Sequence, residues 1–163
     1  MKKIQFLSLV SIAVFALMVG CNSKESDKTA DKGNAKADAQ KGDDGGHAHG
    51  EGPHGGTVAD WGGGKFHVEF TVNHDKQEAT VYILGDDEKT ATPIDAKEIT
   101  LSIKDPKFTA SLKASPQDGD PEGKASRFVG KHKNLGIVKE YEGSMSGTVS
   151  GTPYSGNFKE VAH

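Results

Sequence analysis

From Phe66 onward, apolar and polar positions alternate along the chain with a period of two. Phe66, Val68, Phe70 and Val72 are separated by His67, Glu69 and Thr71, the pattern of a strand with one face in a core and the other toward water. Ala79, Val81 and Ile83 repeat it, with Tyr82 and Leu84 on the opposite face, and Asn73-His74-Asp75-Lys76 between the two runs suits a hairpin. Ile99, Leu101 and Ile103 predict a third strand, and Phe108, Ala110 and Leu112 a fourth after the Asp105-Pro106 turn. Beyond a polar loop from Ser115 to Lys124, a short strand is expected near Ser126 to Val129. A last hairpin is expected at roughly Gly143 to Ser150 and Tyr154 to Val161, turning at Gly151-Thr152-Pro153. Its Gly, Ser and Thr content leaves the register there weakly specified. No window of about ten residues carries a helical period. The expected fold is all-β, a small antiparallel β-sandwich or open barrel over residues 54–163.

Upstream the alternation stops. From Asn22 to Pro53 there is no Val, Ile, Leu, Met or aromatic residue, and Lys, Asp, Glu, Ala, Gly and Ser fill the segment. Such a stretch cannot bury enough apolar surface to offset its ordering entropy, so residues 21–53 are expected to form a disordered polar tether. Its ends would stand about 30 Å apart as a flexible coil. Before it, Lys2 and Lys3 lead into the apolar run Ile4 to Val19, broken only by Gln5, Ser8 and Ser11 and ending in Gly20-Cys21. That order is the order of a secretory signal, here residues 1–20. The run of about 16 residues falls short of the roughly 20 that a spanning helix needs.

Met18-Val19-Gly20-Cys21 resembles the lipobox of bacterial lipoproteins, with Met18 where Leu is usual. The resemblance implies a diacylglyceryl thioether on Cys21, acylation of its new amine and a lasting membrane anchor. Asn22 after the cysteine resembles the pattern that permits transfer to the outer membrane, so the expected location is the cell envelope, facing the periplasm. The formal charge is -3, and losing Lys2 and Lys3 with the signal leaves the mature part near -5. A mildly acidic chain has no electrostatic reason to bind nucleic acid. With a single cysteine, no internal disulfide is possible. A monomer is expected.

Candidate chemistry concentrates where tether meets domain. His47, His49 and His54 fall within a glycine-rich run, Gly45 to Gly56. Neutral imidazole is the commonest protein ligand for transition metals, and glycine lets three rings converge. His47 and His49 project to one side of an extended chain, and Glu51 or Asp44 can complete a set. The alternative is a polar spacer rich in histidine. His67 and Glu69, two residues apart on the first strand, point the same way, so His54 can bring the tract to a preformed half-site; the alternative is an ordinary solvated strand face. His74, His132 and His163 read as surface residues.

Other motifs fall short of their templates. Asp118-Gly119-Asp120-Pro121-Glu122-Gly123 imitates the start of a calcium loop, but Val129 stands where a bidentate Glu is needed, and an acidic turn is expected. Gly62-Gly63-Gly64-Lys65 is a tight turn and not a phosphate loop. No serine sits in a Gly-x-Ser-x-Gly frame, no nucleophile has a base nearby, and no enzyme is expected.

Gly52-Pro53-His54-Gly55-Gly56, Lys65-Phe66-His67-Val68-Glu69-Phe70 and Thr80-Val81-Tyr82-Ile83-Leu84 together resemble a small His-tract domain of planctomycete-type lipoproteins of unknown function. They are also similar to a segment that precedes the core of some heavy-metal efflux adaptor proteins. The resemblance covers roughly residues 45–104. It implies an extracytoplasmic copper or zinc context, with the family's His-Gly-Gly and strand histidine carried onto His54 and His67, and with metal-efflux components as partners. The expected function is a membrane-anchored lipoprotein that binds or buffers copper or zinc through His47, His49, His54, His67 and Glu69. The competing expectation is a structural or interaction lipoprotein without a metal role.

Overall fold

A computed structural model describes residues 49–160. The signal, Cys21, His47, the tether up to residue 48 and the last three residues lie outside the described residues. Eight strands form one antiparallel sheet: β1 (Thr57–Trp61), β2 (Phe66–Asn73), β3 (Glu78–Leu84), β4 (Glu98–Ile103), β5 (Phe108–Ala114), β6 (Arg127–Lys131), β7 (Glu142–Val149) and β8 (Thr152–Lys159). The spatial order is β1-β2-β3-β6-β5-β4-β7-β8. Its two ends, β1 and β8, curl back against each other, so the sheet is a nearly closed barrel. The all-β expectation holds, on the barrel side of the two architectures it left open.

The alternation read from the sequence lines the interior. Val68 and Phe70 of β2, Val81 and Ile83 of β3, Leu101 of β4 and Leu112 of β5 are all fully buried in one core. Two elements were not expected. One is β1, whose five residues between glycine-rich turns carry too short a pattern to register as a strand. The other is a 3₁₀ turn at Lys133–Gly136, which places Leu135 in the core. Tyr141, also fully buried, donates its hydroxyl to the carbonyls of Asn134 (2.6 Å) and Ile137 (2.8 Å), which ties that turn to the barrel.

The last hairpin pairs without interruption from Glu142↔Lys159 to Val149↔Thr152, and its turn sits at Ser150-Gly151. Its register is specified from outside the hairpin. Gly156 lies where β8 meets β1, and any side chain there would collide with the backbone carbonyl of Asp60. Only glycine permits so close an approach. Among the described residues no helix is long and apolar enough to cross a membrane.

Candidate metal centre

Strand β2 is buried on both faces. Val68 and Phe70 face the core, while His67 (5% exposed) and Glu69 (0%) face outward yet are shielded from water. The solvated strand face weighed above is therefore not what forms. Antiparallel register explains which groups meet there. Asp60 stands opposite His67, which stands opposite Leu84; one row along, Val58 stands opposite Glu69, which stands opposite Tyr82. Directly opposed residues have Cβ atoms about 4.5–5.5 Å apart. The segment His49 to Gly56 lies over these two rows, beginning five residues before the expected domain boundary, and each row takes a different part of it.

Over the first row, His49 Nε2 is 3.0 Å from Asp60 Oδ2 and its Nδ1 is 3.1 Å from Glu88 Oε1. His67 Nε2 is 2.9 Å from Asp60 Oδ1 and 3.6 Å from Glu88 Oε1. The ligand atoms of His49, Asp60 and His67 lie within 4.8 Å of one another. His67 Nδ1 is 2.7 Å from the Gly85 carbonyl oxygen. A carbonyl only accepts, so Nδ1 carries the hydrogen and the Nε2 lone pair of the neutral ring is aimed at the Asp60 carboxylate. Two acceptors face each other, and the contact needs a cation between them, either a proton or a metal ion.

Glu88 reaches this group from the loop between β3 and β4. Asp87 fixes that loop by accepting hydrogen bonds from the Thr90 hydroxyl (2.5 Å) and from the backbone N–H groups of Thr90 (2.8 Å) and Lys89 (3.0 Å). These bonds, that of the hydroxyl foremost, hold its carboxyl at about 2.

Burial opposes charge on His49, but the hydrogen bonds and charges of Asp60 and Glu88 outweigh it and raise the pKa above the usual 6.5. A raised histidine pKa stabilises the fold fully below 6.5, and that contribution fades as pH rises through the folded value. In metal-free protein, an NMR titration is expected to place His49 above 6.5 and to place it lower in Glu88→Gln. An unchanged value in the variant would mean that Glu88 does not face the ring.

Over the second row the segment closes on Glu69. Its Oε1 accepts from the backbone N–H of His54 (2.8 Å) and of Gly56 (2.9 Å), while Oε2 is 2.7 Å from His54 Nδ1. The His54 ring stacks on Tyr82 at 3.6 Å between centroids and 3° between planes. A side chain on Gly52 would run into Glu69 itself, and one on Gly56 into the Phe70 carbonyl and the Glu69 stem, which gives the Gly-Pro-His-Gly-Gly run its local meaning. It is a clasp around a buried carboxylate.

The five residues expected to share one site thus divide. His49 and His67 come together, His54 and Glu69 pair with each other, and His47 lies outside the described residues. Asp60 and Glu88 were missed. The signal for Asp60 was present, since a four-residue turn at Gly62-Gly63-Gly64-Lys65 after Thr57–Trp61 sets Asp60 opposite His67. Nothing in the sequence pointed to Glu88. His74 and His132 are half-buried: His74 Nδ1 donates to the Leu135 carbonyl (2.8 Å), and His132 accepts from the Asn134 N–H (3.2 Å). In the acidic loop, Asp120 accepts from the backbone N–H groups of Gln117 (2.8 Å) and Ser126 (2.9 Å), which gives this carboxylate a loop-closing part.

No protein-family model, no curated protein and no solved structure matches this chain.

Proposed function

We propose that this chain is a lipid-anchored envelope protein whose barrel binds a transition metal ion, zinc or copper, through His49, Asp60, His67 and Glu88. One observation carries the reading. The Nε2 atom of His67, on a ring oriented by the Gly85 carbonyl, is aimed at a carboxylate oxygen 2.9 Å away. Metal-bound histidines commonly donate the other ring N–H to a backbone carbonyl in this way. The spacing also suits an ion. Ligands at about 2.0–2.1 Å around a tetrahedral centre stand roughly 3.3 Å apart; one donor atom each from His49, Asp60 and His67 lie within 4.8 Å of one another, and Glu88 Oε1 approaches His67 Nε2 to 3.6 Å. The anchor rests on the lipobox resemblance at Cys21, and metal-efflux components are the partner class implied by the resemblance of residues 45–104.

A second reading, an interaction lipoprotein without metal, is supported by the raised pKa of His49. With protons in place of a metal ion, the same groups form a closed network of ion pairs. Calorimetric titration of the full chain in detergent with Zn(II) separates the two readings. Wild type is expected to bind roughly tenfold or more tightly than His67→Ala or His49→Ala, and each tenfold is about 1.4 kcal/mol. Equal binding by all three proteins would assign the cluster to the ion-pair network.

A further inference from the structure

Resting on that reading of the site, we infer that it selects its ion by charge and donor hardness, taking Zn(II) and other divalent ions of its kind and rejecting Cu(I). The donor set is two imidazole nitrogens and the carboxylates of Asp60 and Glu88. Nitrogen and oxygen donors suit borderline divalent ions, whereas Cu(I) is held by thiolate and thioether sulfur. Among the described residues the one sulfur belongs to Met145, which is fully buried within the core of the barrel. Among the described residues no sulfur ligand faces the site.

Charge points the same way. Two neutral imidazoles and two carboxylates carry two negative charges, which a divalent ion cancels and Cu(I) leaves half compensated. The imidazoles of His67 and His49 are only 6% and 12% exposed and the carboxylates of Asp60 and Glu88 31% and 40%, so water reaches residual charge only from the carboxylate side and an uncancelled charge there is disfavoured. Geometry sets a further limit. Asp60 and His67 sit on neighbouring strands of one ladder, and His67 is pinned by Gly85. These donors hold their spacing and cannot collapse into the two-coordinate arrangement that a cuprous ion accepts.

The test compares two ions on the full chain in detergent, each against a chromophoric competitor. Zn(II) is supplied as its sulfate, and Cu(I) as its acetonitrile complex under nitrogen with ascorbate. Wild type is measured beside His67→Ala and beside Glu88→Gln, a change at a half-buried residue of an otherwise exposed loop that leaves the barrel wall intact. The expected result is that Zn(II) affinity falls about tenfold or more in both variants while Cu(I) affinity is the same in all three proteins. Should Cu(I) affinity fall with the substitutions as far as Zn(II) affinity does, the selectivity is overturned and the metal reading stands. Should neither ion distinguish wild type from the variants, the metal reading itself falls.

Discussion

Glu69→Ala is expected to lower the unfolding free energy by about 2–6 kcal/mol, at about 1–3 kcal/mol for each of two backbone N–H groups left without their acceptor. Glu69 has no exposed surface, and its two oxygens take two backbone N–H groups and the His54 ring. Without the carboxylate, the backbone N–H groups of His54 and Gly56 lose their acceptor at about 1–3 kcal/mol each, while the His54 ring, 37% exposed, can turn to water. Small domains are stable by about 5–15 kcal/mol, so this one change removes a large share of the total. Glu69→Gln is expected to cost much less. Its carbonyl can keep both backbone N–H groups, and His54 can switch tautomer to accept from the amide. Urea unfolding followed by circular dichroism measures both. A loss under about 1 kcal/mol in the Ala variant would show that the clasp is not held by Glu69. His49 lies only five residues upstream of His54, so undoing the clasp also loosens a proposed ligand, and Zn(II) affinity is expected to fall with it.

A loss of similar size is expected for Trp61→Ala, for a different reason. Trp61 is fully buried at the end of β1 and donates its indole N–H to the Met145 carbonyl on β7, 3.1 Å away. Its ring lies roughly parallel to that of Tyr154 on β8, at 6.1 Å and 13°. The residue therefore bridges the seam where the sheet closes on itself, and its packing works there in place of a ladder. Removing it leaves a cavity and an opened seam, at about 3–5 kcal/mol. Trp61→Phe keeps most of the volume and loses a hydrogen bond worth about 1 kcal/mol. Because Trp61 is the one tryptophan in the chain, circular dichroism and not intrinsic fluorescence must follow the transition. If the two variants proved equally stable, the seam would owe little to the indole's bulk.

The barrel was more legible in the sequence than the site. A strand buried on one side writes its period of two directly into the chain, and β2 to β5 were read that way from Phe66, Val68, Phe70 and their counterparts. Strand β1 was not, because Thr57–Trp61 is brief and its burial depends on partners far along the chain. Histidines in the glycine-rich run were conspicuous, but their grouping was not. His67 and Glu69 do share a face, as expected, yet they stand about 6.6 Å apart along the strand. Each is served by its own cross-strand row, so one imagined site became a metal candidate and a clasp.

What the sequence by itself determined is the set of facts that depend on local order. These are the alternation that makes strands, the hairpin turns between them and the resemblance of residues 18–21 to a lipobox. Tertiary structure decided which polar residues meet. Asp60 faces His67 because of antiparallel register, Glu88 arrives on a loop shaped by Asp87, and Gly156 is glycine because the Asp60 carbonyl lies against it. The physical reason is common to all three. Backbone periodicity is a property of neighbours in the chain, whereas a ligand set, a clasp or a seam is made of groups that only the closing of the barrel brings within reach.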